Sequence, residues 1–109
     1  TAKGELKAEV LYHLAFFKRE FQNFEESNKI VQDLIANYSS YKYWAVKSYV
    51  LMGKNYASIN DIYQATFVLE NVIKNFAQFE DITIEAEEAL INIKAKEAKK
   101  NGSIKSEEN

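Results

Sequence analysis

Along this chain apolar residues return every three or four positions, and short polar stretches separate the runs. Leu6, Val10, Leu11, Leu14, Ala15 and Phe17 form the first run and predict a helix over about 3–20. After the polar Gln22-Asn23, a second run holds Phe24, Ser27, Val31, Leu34, Ile35 and Tyr38. Asn23 reads as its N-cap, and Glu25-Glu26 put negative charge in the first turn, where the helix dipole favours it. A third run opens near Lys42 and carries Ala45, Tyr49, Met52, Gly53 and Tyr56. Asn60-Asp61 breaks the pattern, with Asp61 placed to cap. Ile62, Ala65, Leu69, Val72, Ile73 and Phe76 then make a fourth run. Beyond a loop over about 77–81, Ile82, Ala86, Ala89, Leu90 and Ile93 make a fifth. Lys94, Lys96, Lys99 and Lys100 suit the C-terminal end of that helix, and Gly102 is expected to stop it. Residues 101–109 are expected to form a flexible tail, because Ile104 is the one apolar side chain among the last seven. The pattern predicts an all-α fold of five helices joined by short links.

The runs also repeat. A slide of 38 residues puts Leu11 on Tyr49, Leu14 on Met52, Ala15 on Gly53 and Ser27 on Ala65. The same slide puts Val31 on Leu69, Leu34 on Val72, Ile35 on Ile73 and Tyr38 on Phe76. The breaks between helices fall in register too. A further slide sets Met52 on Leu90 and Gly53 on Ile91, so the fifth helix reads as the first half of a third unit. The small residues have a steric use. Gly53 and Ala65 let the two helices of one pair approach closely.

A chain of 109 residues suffices for one continuous core. Zero Cys removes disulfides, Cys-based zinc sites and a thiol nucleophile. Zero Pro and three Gly argue against a turn-rich β fold. The net charge of −2 advertises no nucleic-acid or anionic-membrane partner. No apolar stretch is long enough to insert into a membrane. Helical sequence starts almost at once without an initiating Met, so the chain reads as a piece of a longer protein.

Candidate chemistry is sparse. His13 is the single His, and no Ser or carboxylate stands at a nucleophile motif beside it. Glu85, Glu87 and Glu88 lie in the first turns of a helix, where acidic residues serve the dipole. The Lys run is interleaved with Glu97 and reads as a solvated end. No catalytic residue, metal ligand or cofactor is expected. The string YSSYKYW packs four aromatics into seven residues. Tyr38 and Trp44 are expected to plug the seam between the two units, with Tyr41 and Tyr43 exposed.

Paired helices with a small residue in each resemble tetratricopeptide (TPR) repeats. Tyr49, Met52-Gly53, Tyr56, Ala65, Leu69 and Val72 carry the likeness, and Ala15 with Ser27 fill the small positions of the first unit. Lys18 stands where Tyr56 stands in the second unit, and the usual Pro after the second helix is absent. The period of 38 exceeds the family's usual length of about 34. YKYWAVKSYVLMGKNYA and ATFVLENVIKNF also resemble the C-terminal end of long TPR proteins of the bacterial cell envelope, of the Bacteroidetes type. The resemblance implies a TPR-like α-solenoid over 3–100, with units at about 5–40 and 41–79 and a capping helix at about 81–100. It implies an envelope or periplasmic location, with the cytoplasm open.

The family's concave groove, carried over position by position, implies Glu9, Tyr12, Phe16 and Arg19 from the first helix. It implies Lys47, Val50 and Lys54 from the third helix, and Glu85, Glu88 and Asn92 from the fifth. That groove is expected to be aromatic at one end, basic in the middle and acidic at the other. Tyr12, Phe16 and Leu51 occupy positions where chaperone-binding members carry a basic clamp, which argues against an acidic chaperone tail as ligand. The resemblance implies a non-catalytic scaffold that binds a peptide or partner protein through the groove. A structural spacer and a helical enzyme-accessory domain are the alternatives. If a preceding repeat has been cut away, some of the rings of Tyr12, Phe16 and Phe17 faced it, and the bare edge of the first helix offers a route to self-association.

Overall fold

In the computed structural model five helices follow one another: α1 (Ala2–Glu20), α2 (Phe24–Tyr38), α3 (Lys42–Ser58), α4 (Ile62–Asn75) and α5 (Glu80–Glu108). The structure describes the backbone of residues 1–108 and the side chains of residues 1–102. No strand occurs among the described residues. The expected tail is largely helical: Gly102 does not stop α5, which runs on to Glu108. A glycine stop needs a left-handed turn, and Gly102 has no positive φ. Asn109 lies outside the described residues.

The breaks work as local chemistry dictates. Gln22 and Asn60, 38 positions apart, both take φ of 64°, the left-handed conformation that reverses the chain after α1 and α3. Asp61 caps α4, its carboxylate accepting from the Gln64 amide at 3.2 Å. Asn23 occupies the cap position of α2, but its side chain makes no capping bond.

Every helix packs on its neighbours in the chain, and α3 also packs on α1 and α5. α1, α3 and α5 form one row, and α2 and α4, which do not touch, lie behind it. α3 is the shared helix and is buried on both sides. One apolar cluster joins Tyr12, Ala15, Val31 and Leu34 to Ala45, Leu51 and Met52 of α3. The other joins Val46 and Val50 of α3 to Ala65, Leu69, Val72, Ile82, Ala86 and Ile93.

The 38-residue register holds where it counts. Ser27 and Ala65, Val31 and Leu69, and Leu34 and Val72 are buried as pairs. The same shift carries into α5: Leu90 is buried like Met52, and Ile82, Ala86 and Ile93 fall on Trp44, Ser48 and Asn55, on the side of α3 that packs on α1 and α2. Ile91, matched with Gly53, is exposed because Gly53 faces Leu69 of α4 and no helix follows α5 among the described residues. The close approach at Gly53 is real: a Cβ there would lie 2.9 Å from Cγ of Leu69. Ala65, fully buried on the facing helix, has no more room. Replacing Ala65 by Leu should overpack this crossing and lower stability by about 1–3 kcal/mol. Chemical denaturation measures the loss, and an unchanged midpoint would show that the crossing is slack.

Candidate functional site: the face of α1, α3 and α5

The row of α1, α3 and α5 presents one continuous face. At one end it is aromatic. Tyr12 of α1 lies 5.7 Å from Trp44 and 6.5 Å from Phe16 between ring centroids. The Lys47 ammonium sits 5.4 Å from the Tyr12 ring centre and 5.5 Å from that of Tyr43, so both rings share one cation. Tyr43 packs on Phe79 and donates its hydroxyl to Asp81 Oδ2 at 2.7 Å, tying α3 to the start of α5. That hydrogen bond, with partial burial, raises the Tyr43 phenol above its ordinary range. His13 edges onto Tyr12 and Trp44 and is exposed.

At the other end the face opens into a cleft of about 330 Å³. Arg19 stands on one wall, Lys54, Ala57 and Ser58 on the floor, and Glu85, Glu88, Asn92 and Lys96 of α5 on the other wall. α1 and α5 do not touch; the width of α3 holds them apart. Ion pairing organises the charges. Lys54 Nζ meets Glu85 Oε1 at 2.8 Å, and Lys100 meets Glu97 at 3.7 Å. Arg19 has no carboxylate partner among the described residues. Its Nη1 donates to Asn55 Oδ1 at 3.2 Å and Ser58 Oγ at 2.9 Å, and its guanidinium lies over the Phe24 ring at 5.5 Å. Burial lowers its pKa from the ordinary value.

Beneath Arg19 a buried polar chain joins three helices. Asn55 Nδ2 donates to Ser27 Oγ and to Asn28 Oδ1, each at 2.8 Å. Ser27 Oγ donates in turn to the Ala15 carbonyl at 2.7 Å. Asn55, Ser27 and Asn28 are all buried. Asn55 escaped the sequence pattern, yet a signal was present: it falls three positions after Met52 and seven after Ser48, on the buried side of α3. A polar residue at a core position implies buried hydrogen bonding.

Five of the ten expected groove residues, Arg19, Lys54, Glu85, Glu88 and Asn92, meet in the cleft. Phe16 is exposed, while Glu9 and Lys47 are half-buried beside the aromatic end. Two are corrected. Tyr12 retains 6% exposure, because Trp44 and Lys47 cover its ring, and Val50 is wholly buried between α4 and α5. Of the expected basic middle, Lys54 is offset by Glu85, while Lys47 keeps its charge beside the Tyr12 and Tyr43 rings. In the aromatic string, Tyr41 and Tyr43 are half-buried rather than exposed, Tyr41 resting over Gly4.

Burial, then the nearby Glu85 carboxylate and Tyr43, push the Tyr12 phenol up to about 12. The unfolded chain ionises this group near 10. Its contribution to stability is therefore complete below pH ~10 and is lost as pH rises toward the folded value. Tyr12→Phe should flatten the fall in stability across that alkaline window. Denaturation midpoints at stepped alkaline pH provide the check, and parallel falls in both proteins would show that Tyr12 is not the titrating group.

No protein-family model matches the chain, and no curated protein or solved structure matches it.

Proposed function

We propose that the chain is a non-catalytic protein-interaction scaffold, a TPR-like array whose α1–α3–α5 face receives a peptide or a partner helix. The observation that carries this reading is the convergence of Arg19, Lys54, Glu85, Glu88 and Asn92, from three helices, on one cleft. The alternation of a front row with α2 and α4 behind it supports the array. The small crossings at Gly53 and Ala65, and the paired left-handed turns at Gln22 and Asn60, support it as well.

The cleft suits recognition by shape and hydrogen bonding. Ala57, Ile62, Ala89 and Ile93 give it an apolar lining, and Arg19, Glu88 and Lys96 stand around it outside any ion pair among the described residues. The apolar lining would supply most of the affinity, and the rim charges would set association rate and salt dependence. A structural spacer is the second reading. The internal pairing of Lys54 with Glu85 and of Lys100 with Glu97 favours it, because these charges already have partners.

Selection of random peptides displayed on phage against the immobilised chain separates the two. The scaffold reading expects enriched peptides whose titration moves the amide resonances of Lys54, Ser58, Glu88 and Asn92. It expects Asn92→Arg, which fills the cleft without touching the core, to weaken those peptides about tenfold, or ~1.4 kcal/mol. Enrichment of nothing, or of peptides that map outside this face, would favour the spacer.

A further inference from the structure

The outer side of α1 points away from every other helix. Leu6, Val10, Leu14 and Phe17 run along it at helical spacing, Phe21 follows at the C-cap, and all five are 45–76% exposed. They form an apolar strip about 22 Å long at the rise of an α-helix. Most surface apolar residues occur singly; a continuous strip on one helix marks a contact surface. The internal repeat says what kind. A shift of 38 sets Leu6, Val10, Leu14 and Phe17 on Trp44, Ser48, Met52 and Asn55 of α3. In α3 these positions face α1 and α2: Ser48 and Asn55 are wholly buried, Met52 is nearly so, and Trp44 packs on the same cluster. α1 thus shows to solvent the face that its counterpart packs against helices.

Charges flank the strip unequally. At about 100° per residue, Lys7 and Lys18 lie roughly 60–80° to one side of its centre and Glu9 and Glu20 roughly 80–100° to the other, while Lys3 lies roughly 20° from the centre, one turn before Leu6 and so beyond the end of the strip. Lys18 also reaches Glu26 of α2 at 3.1 Å, and both side chains stay more than a third exposed. A surface with base on one flank and acid on the other complements itself in one orientation. When two such helices pair in parallel about a two-fold axis along their length, the basic flank of each meets the acidic flank of the other. When they pair antiparallel, Lys faces Lys and Glu faces Glu.

We propose that this strip is a homodimer interface in which α1 of one copy packs in parallel and in register against α1 of a second copy. Lys7 then lies beside Glu9 of the second copy, and Lys18 beside Glu20. Leu6, Val10, Leu14, Phe17 and Phe21 each meet their own counterpart across the axis. The interface lies on the side of α1 opposite Tyr12 and Arg19, so it leaves the cleft free and does not depend on its function. The strip is smaller than a standard interface of about 800 Å² per partner, so dissociation is expected on the order of tens of micromolar.

Two measurements test this on the whole chain. Sedimentation velocity across concentrations from about 5 to 500 µM should show a monomer giving way to a dimer, a span that brackets the expected dissociation constant. Because the chain has no Cys, Leu6→Cys and Phe21→Cys variants report pairing without background. Parallel pairing brings each new thiol beside its own copy, so mild oxidation should give a disulfide-linked dimer with either variant. Antiparallel pairing holds them about 22 Å apart and gives none. Phe17→Glu places a charge in the centre of the strip on an exposed position; it should keep the helical circular dichroism and lose the dimer. A monomer at the highest concentration overturns the proposal. So does a dimer that survives Phe17→Glu, or one that Leu6→Cys fails to cross-link.

Discussion

The arrangement turns on Asn55, a fully buried amide at the point where α1, α2 and α3 meet. A buried amide without partners costs more than most single contacts gain. Asn55 therefore fits only if Ser27 and Asn28 stand where its two donors point and Arg19 where its oxygen points. Ser27 in turn must reach the Ala15 carbonyl. Hydrophobic packing alone would let α3 slide along α1 and α2 at modest cost. These directional bonds select one register.

Register then decides the shape of the α1–α3–α5 face. With α3 fixed against α1, Arg19 is held at the cleft wall by Asn55 and Ser58. On the other side, Gly53 lets Leu69 of α4 come close, and α4 delivers α5. That brings Glu85 within 2.8 Å of Lys54. The cleft is the gap left between α1 and α5 by the width of one helix. Its lining comes from residues far apart in sequence, so its shape is as rigid as the helix crossings below it.

Much of the architecture was legible in the residues. Asp61 and the polar pair Gln22-Asn23 mark helix breaks by local chemistry, which needs no tertiary knowledge. The match of Ser27, Val31 and Leu34 with Ala65, Leu69 and Val72 is legible because these faces are buried on one side. α3 was less plain, since a helix buried on both sides carries no clean stripe. The stop at Gly102 failed because glycine permits a left-handed turn without requiring one. The site was legible by row and not by contact. Which helices line the face follows from the repeat, but the cover of Trp44 over Tyr12 and the Lys54–Glu85 pair join different units and leave no local trace.

A double-mutant cycle on Asn55→Ala and Ser27→Ala is the most direct test of the register account. Removing either partner alone should lower stability by about 1–3 kcal/mol, because it breaks the Asn55–Ser27 bond and leaves other buried groups short of a partner, the Ala15 carbonyl in Ser27→Ala and Asn28 Oδ1 in Asn55→Ala. Once one is gone, removing the second should cost much less, giving a coupling energy of about 1 kcal/mol or more. Losses that add to within ~0.5 kcal/mol would mean that the two residues act independently, and that apolar packing alone sets how α3 lies against α1 and α2.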